Sequence, residues 1–293
     1  MKRKNGCIVM FLLASSAGTT LRAQPNFCAQ DTVVGTYAVA IRGTVIAPGL
    51  GGSYTPVPIA SLGVATIDSE GAVSLTGYQS IGGQVSPAQM KGTVIVNSDC
   101  TANAAFTDQV TGTLVVSGGG DEMTFLMLAG GSLGSPIASG DWKRISRASN
   151  SVTQGQCAPD SLAGVYAYQS SGTVMVTQAG APQPVPVPVA TVGVGSAIRG
   201  GTVAATVTAS VGGTIVPLQI TSVAPVTVNP DCTASATVNV TSQGAPVGQH
   251  QDFFVVLDGG GSLWDLTTKD FLGQSVELGA WTQISPSSSS KKR

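Results

Sequence analysis

Short apolar–polar alternations, broken by glycine-rich turns, run through most of the chain. In the first half they fall near Val34–Ala47, Val57–Ile67, Ala72–Ser80, Met90–Val96, Ala102–Thr107, Thr111–Ser117, Met123–Ala129 and Ile137–Ser146. A period of two over 6 to 14 residues predicts half-buried strands, and no stretch sustains the 3.6-residue period of a helix. Asp68-Ser69-Glu70-Gly71 reads as a hairpin turn with Gly71 supplying a positive φ, and Asn97-Ser98-Asp99, Gly118-Gly119-Gly120-Asp121 and Gly130-Gly131-Ser132 read as further reversals. Asp31–Val34 and Asp160–Ala163 suit one helical turn each. Strands this closely spaced, without crossover helices, pair antiparallel. Eight of them in about 120 residues predict a small barrel, or alternatively a β-sandwich. Closure is favoured because so few lysines protect against edge-to-edge pairing.

The pattern occurs twice. Cys28-Ala29-Gln30-Asp31 with Gly35-Thr36-Tyr37 returns as Cys157-Ala158-Pro159-Asp160 with Gly164-Val165-Tyr166. Pro56-Val57-Pro58 returns as Pro186-Val187-Pro188, Asn97-Ser98-Asp99-Cys100-Thr101 as Asn229-Pro230-Asp231-Cys232-Thr233, and Trp142–Ser146 as Trp281–Ser285. The offsets of 129, 130, 132 and 139 residues exceed any solenoid period and indicate tandem domains. The expected layout is a signal peptide over 1–23, a first repeat over 28–146, a linker over 147–156, a second repeat over 157–285 and a polar basic tail over 286–293. Proline donates no ladder hydrogen bond, so each Pro-Val-Pro belongs at a strand start or edge.

The export reading rests on Lys2, Arg3 and Lys4, the apolar stretch Cys7–Ala17, and small residues offering cleavage after Ala17 or Ala23. That stretch is about half the roughly 20 residues a spanning helix needs, so stable membrane insertion is not expected. Four cysteines then remain. Equivalent positions in independently folding copies should pair within each copy, as Cys28–Cys100 and Cys157–Cys232. Their spacing, without CxxC or a histidine cluster, does not suit a metal.

Hydrophobic residues make up 42% of the chain against 10% charged, which argues against disorder. Seven of the fourteen basic residues lie at the two ends, leaving an acidic body with no basic face for nucleic acid.

The order Cys-Ala-x-Asp…Gly-x-Tyr, then Asn-x-Asp-Cys-Thr, then Phe-x-x-x-Asp-Gly-Gly resembles an uncharacterised family of exported tandem β-domains from environmental, acidobacteria-like bacteria. The second copy carries the last motif as Phe254–Gly260, whereas the first has Ala129 at the aspartate position. The resemblance implies a secreted β-barrel, similar to lipocalin-like or allene-oxide-cyclase-like barrels. It implies no activity.

Chemistry is sparse. His250 is the only histidine and reads as a solvated loop residue after Gly248-Gln249. Asp68 with Glu70, and Asp121 with Glu122, are carboxylate pairs that fail to recur. Asp258 with Asp265 offers a loose extracellular calcium site. The glycine runs lack the lysine and helix of a phosphate loop. Trp142 and Trp281 recur and suit core plugs. Trp264 occurs once and suits a platform for a sugar or apolar ligand. Tyr37 and Tyr166 follow glycine on a strand and would line a pocket in an unfilled barrel. The expectation is a secreted, non-enzymatic barrel protein without cofactor, binding a small apolar molecule or a glycan. A cofactor-free isomerase or cyclase is one alternative, and a structural or adhesive module the other.

Overall fold

The computed structural model describes residues 28–48, 54–147, 157–177 and 184–286. The signal segment, most of the linker and the basic tail lie outside them. The first copy is a closed antiparallel barrel of β1 (Gly35–Pro48), β2 (Tyr54–Ile67), β3 (Ala72–Ile81), β4 (Gln84–Val96), β5 (Thr101–Phe106), β6 (Val110–Ser117), β7 (Glu122–Gly130) and β8 (Ser135–Arg147), sealed by β8 on β1. Gly82-Gly83 adds a hairpin between β3 and β4, and β4 begins six residues before the expected Met90.

The second copy repeats this order with β9 (Gly164–Val176), β10 (Val185–Ala197), β11 (Val203–Val211), β12 (Thr214–Ser222), β13 (Thr227–Val228), β14 (Thr233–Ser242), β15 (Ala245–Leu257), β16 (Ser262–Lys269) and β17 (Gln274–Pro286). It closes where Gln219–Ser222 of β12 pair with Val238–Thr241 of β14. The strand equivalent to β4 is split into β12 and β13 around Ala224-Pro225, where proline can donate no ladder bond. Each Pro-Val-Pro lies where the ladder runs on one side, the other side having only the Gly82 amide on the Pro58 carbonyl or the Gly212 amide on that of Pro188. β2 pairs with β1 throughout but with β3 only from Ile59, and β10 with β11 only from Val189.

Among the described residues, helical structure is confined to short 3-10 turns, including Gln30–Val33 and Pro159–Leu162 at matching places before each first strand. The disulfides Cys28–Cys100 and Cys157–Cys232 fasten those turns to the barrels. No helix there is long and apolar enough to cross a membrane, and two disulfides suit an oxidising, extracellular or periplasmic setting.

The Asn-x-Asp-Cys-Thr motif is one turn built twice. Asp99 Oδ1 accepts from the Thr101 amide at 3.0 Å and hydroxyl at 2.7 Å, and Asp231 does the same with Thr233. Cys100 and Cys232 both adopt positive φ, 66° and 68°. These residues are spent on the turn.

The barrels pack side by side, and here plain alternation fails. Both faces of β2 are buried: Ile59, Ala65 and Ile67 point into the first barrel, while Ala60, Leu62 and Val64 pack outward against the second. The opposing face carries Phe253, Val255, Leu257, Leu266, Val276 and Leu278. Tyr78 meets Phe253 with ring centroids 4.9 Å apart, the Ser80 hydroxyl donates to the Ser275 carbonyl at 2.7 Å, and Lys143 pairs with Asp258 at 2.9 Å.

Candidate functional site

One end of each barrel is plugged. The Tyr37 hydroxyl lies within hydrogen-bonding distance of the Val33 and Gly120 carbonyls (3.0 and 2.8 Å), and Tyr166 repeats this with Leu162 and Gly260 (2.8 Å each). Arg144 packs over Tyr37 and donates to Thr32, Val34 and Gly120, whereas Gln283, at the matching position, donates to Ala163. Both tyrosine hydroxyls therefore tie the initial turn to the barrel end, and their pKa values are pushed up to about 12 by burial. Trp142 and Trp281 lie inside beside them.

This shared plug also fixes which residues correspond. Gly118–Gly120 and Asp258–Gly260 form the same 3-10 turn and offer the same carbonyl, so Gly118, not Ala129, stands where Asp258 does. The Asp258 carboxylate is held by Lys143 and Ser262 in that exposed turn, whereas Asp265 is 1% exposed inside the barrel. The two are not brought together. Among the described residues no three His, Cys, Asp or Glu side chains are grouped to hold a metal ion. Trp264 faces outward at the inter-barrel seam, partly buried against the shared apolar cluster.

From the common register the two interiors can be compared position by position. In the first barrel Val39 pairs with Trp142, Ile41 with Gly140 and Gly43 with Ala138; in the second, Tyr168 pairs with Trp281, Ser170 with Gly279 and Gly172 with Glu277. Phe125 and Gly140 are matched by Asp265 and Gly279. Gly112 and Met127 are matched by Asp252 and Thr267, and a register shift beside each pair leaves Val110 and Gly130 matched by His250 and Asp270. Apolar or side-chain-free positions in one copy thus carry four acids, the histidine, a tyrosine and two hydroxyls in the other. Within the same backbone frame, burying such groups costs stability unless they are hydrogen-bonded or paired.

The polar set is wired together. His250 Nε2 donates to Asp252 Oδ1 at 2.6 Å, with the Thr267 hydroxyl 3.1 Å from the same nitrogen, and Nδ1 faces Asp270 Oδ2 at 3.9 Å. The Ser170 hydroxyl donates to Glu277 Oε1, and the Leu272 amide donates to Asp270 Oδ1 at 2.8 Å. Asp265 lies buried beside the Trp281 indole. His250, expected in a solvated loop, is instead an inward residue of β15 with 16% of its side chain exposed. Residues two apart on a strand share a face, which is why His250 and Asp252 meet.

Burial alone would lower the His250 pKa, but Asp252, with its charge and hydrogen bond, and the charges of Asp270 and Glu277 outweigh it, raising the value to about 10. Burial drives Asp265 well above the usual carboxyl range, reinforced by Asp252 and Glu277. Burial likewise raises Asp270 and Glu277, opposed by His250 and by the hydrogen bonds they accept. The imidazole is therefore a cation held between carboxylates, with no free ring nitrogen to act as a base.

Beside this cluster lies a cavity of about 170 Å³. Tyr168, Thr191, His250, Asp252, Asp270 and Glu277 form its polar side. Its apolar wall includes Val189, Val207, Leu218, Ile220 and Val240, and Phe271 and Leu272 belong to the turn that borders it. The first barrel carries larger side chains beside the matching level. The Phe125 ring lies where a side chain on Gly112 would go, 2.1 Å from an ideal Cβ, and Leu75, Phe106 and Met127 add bulk where the second barrel has Ala205, Val238 and Thr267. A broader cleft of about 890 Å³, lined by polar groups such as Gln89, Gln249 and Gln251, runs between the barrels.

Fold and site together define a tandem barrel protein whose second domain carries a polar cluster beside a cavity. No protein-family profile matches the chain, and no curated protein matches it. Among solved structures, a protein provisionally assigned as AttH from Nitrosomonas europaea shares 6% identity at a TM-score of 0.27, covering 85% of this chain and 92% of that one. Transferrin-binding protein B of Haemophilus parasuis shares 6% at 0.24, covering 85% and 75%. A protein of unknown function from the DUF3598 family of Nostoc punctiforme shares 8% at 0.20, covering 88% and 99%. At such scores the likenesses carry no argument, and the architecture rests on the strand pairing itself.

Proposed function

We propose that this is a secreted binding protein in which the second barrel takes up a small, largely hydrocarbon molecule, while the first serves as a rigid partner. The observation carrying this reading is the contrast between the interiors. The first barrel packs Phe125, Phe106, Leu75 and Met127 at this level; its twin holds a largely apolar cavity ending in convergent polar groups, the usual anatomy of a small-molecule site. The paired disulfides support an extracytoplasmic setting, and the basic-then-apolar start of the chain supports export. Binding is favoured over proton-transfer catalysis because both nitrogens of His250 already face carboxylates.

Ligand-observed NMR with benzene-sized fragments, on the full chain and on Ala209→Phe, tests this reading. Ala209 is 3% exposed and lines the cavity, so the larger ring should fill it. Saturation transfer to at least one fragment is expected in the wild type and not in the variant. Fragments that bind neither protein, or both equally, would defeat the proposal.

A further inference from the structure

We infer that the ligand of the second barrel is a small organic amine, bound as its ammonium ion against Asp270 and Glu277 with its hydrocarbon body on the valine–leucine wall. This rests on the reading that the cavity takes up a small molecule.

Charge favours a cation: Asp252, Asp270 and Glu277 line the cavity with one imidazole, and neither lysine nor arginine does. His250 is committed on both faces, to Asp252 at 2.6 Å and toward Asp270 at 3.9 Å. One imidazole thus faces three carboxyl groups, and since burial raises Asp270 and Glu277, an added cation would favour their ionised form.

Hydrogen-bond supply favours one too. An ionised carboxylate only accepts, and each of its oxygens takes up to two donors. Around this cluster the protein's donors are few. The Ser170 hydroxyl serves Glu277, one amide serves Asp270, and the Thr267 hydroxyl and His250 serve Asp252. An ammonium brings three donors and a full charge to the place that lacks both.

Other ligand classes fit less well. An anion would enter a field of its own sign. A neutral hydrocarbon would fill the apolar side but leave the acids as they are, at continuing cost. A bare metal ion would need three or more grouped ligands, and among the described residues no such group exists. The cavity's volume of about 170 Å³ sets the size, since engineered apolar cavities of about 150 Å³ accept benzene. A single ring or short branched chain carrying one amine is the matching shape.

The first barrel explains why this is more than an ill-packed core. Ala138 and Gly130 occupy the positions of Glu277 and Asp270, so the same frame folds without either acid.

Isothermal titration of the full chain at neutral pH, using benzylamine, benzyl alcohol and benzoate, tests the inference. Benzylamine should bind at least about tenfold tighter than the alcohol, the equivalent of one charge-assisted hydrogen bond, and benzoate should not bind. Glu277→Gln, isosteric and uncharged, should weaken the amine by about tenfold without weakening the alcohol. Glu277→Ala, which installs the first barrel's residue, gives a second variant if the first does not fold. Equal or tighter binding of the alcohol, a preference for benzoate, or an amine affinity indifferent to residue 277 overturns the amine inference while leaving a small-ligand barrel intact. Silence from all three compounds overturns it together with the proposed function.

Discussion

The polar interior predicts an unusual response to pH: the second barrel should lose stability on going alkaline, from neutrality upward. His250 titrates near 6.5 in an unfolded chain and at about 10 in the folded barrel. A folded pKa above the unfolded one means that the native state holds the extra proton. The stabilisation is complete below pH ~6.5 and disappears as pH rises through about 10. For one proton the slope inside that window is about 1.4 kcal/mol per pH unit, so moving from pH ~7.5 to ~9.5 should cost roughly 2–3 kcal/mol. At roughly 4 °C per kcal/mol for a domain of this size, the melting transition should fall by about 10 °C. Asp265, Asp270 and Glu277, raised chiefly by burial, act with the same sign; their contribution is whole below the ordinary carboxyl range and fades as pH climbs through their folded values. The first barrel supplies the contrast. It has Val110, Phe125, Gly130 and Ala138 at the matching positions, and Tyr37 titrates only at about 12. Scanning calorimetry of the full chain across this interval is the assay, with the double variant His250→Val, Asp252→Asn as control. A transition that does not move, or one that moves equally in the double variant, refutes the reasoning.

Replacing both cysteines of either disulfide by serine should cost about 4 kcal/mol in the chain-entropy treatment, since the bridges close loops of 72 and 75 residues. Urea denaturation under non-reducing conditions measures this. Tyr166→Phe should cost about 1–2 kcal/mol, because the Leu162 and Gly260 carbonyls lose a buried donor, and Tyr37→Phe should behave alike. Leu62→Asp, at a site 1% exposed on the outer face of β2, should destabilise by more than about 3 kcal/mol and separate the two barrels' melting transitions, which calorimetry would resolve. Lys143→Met should change stability by under about 1 kcal/mol, since its ion pair with Asp258 is substantially exposed, and salt titration should mask even that.

Much of the architecture was legible in local pattern. Period-two runs, glycine punctuation and the repeated Cys and Trp landmarks led to two eight-stranded barrels with internal disulfides, because strand pairing, turn chemistry and loop closure are read over a few residues at a time. The site was less legible. His250-x-Asp252 and Asp265-x-Thr267 carry the strand spacing that puts both members on one face, but spacing alone does not say whether that face is inside. The first copy offers two Gly-Gly turns that can match Asp258-Gly259-Gly260, and matching it to Gly130-Gly131 hid the correspondence of Val110 with His250 and Phe125 with Asp265. The tyrosine bond to Gly120 or Gly260 is what decides the register.

By itself, the sequence determined that each half is a stapled antiparallel β-unit, a barrel or alternatively a sandwich, since this follows from side-chain alternation and from turns that only certain residues can make. Only the tertiary structure decided that the second barrel keeps a cavity beside buried polar groups, and that the halves share an apolar face. The reason is geometric. A strand's alternation distinguishes two faces but does not label them inside and outside, and whether eight inward faces fill the space between them depends on volumes contributed from every strand at once.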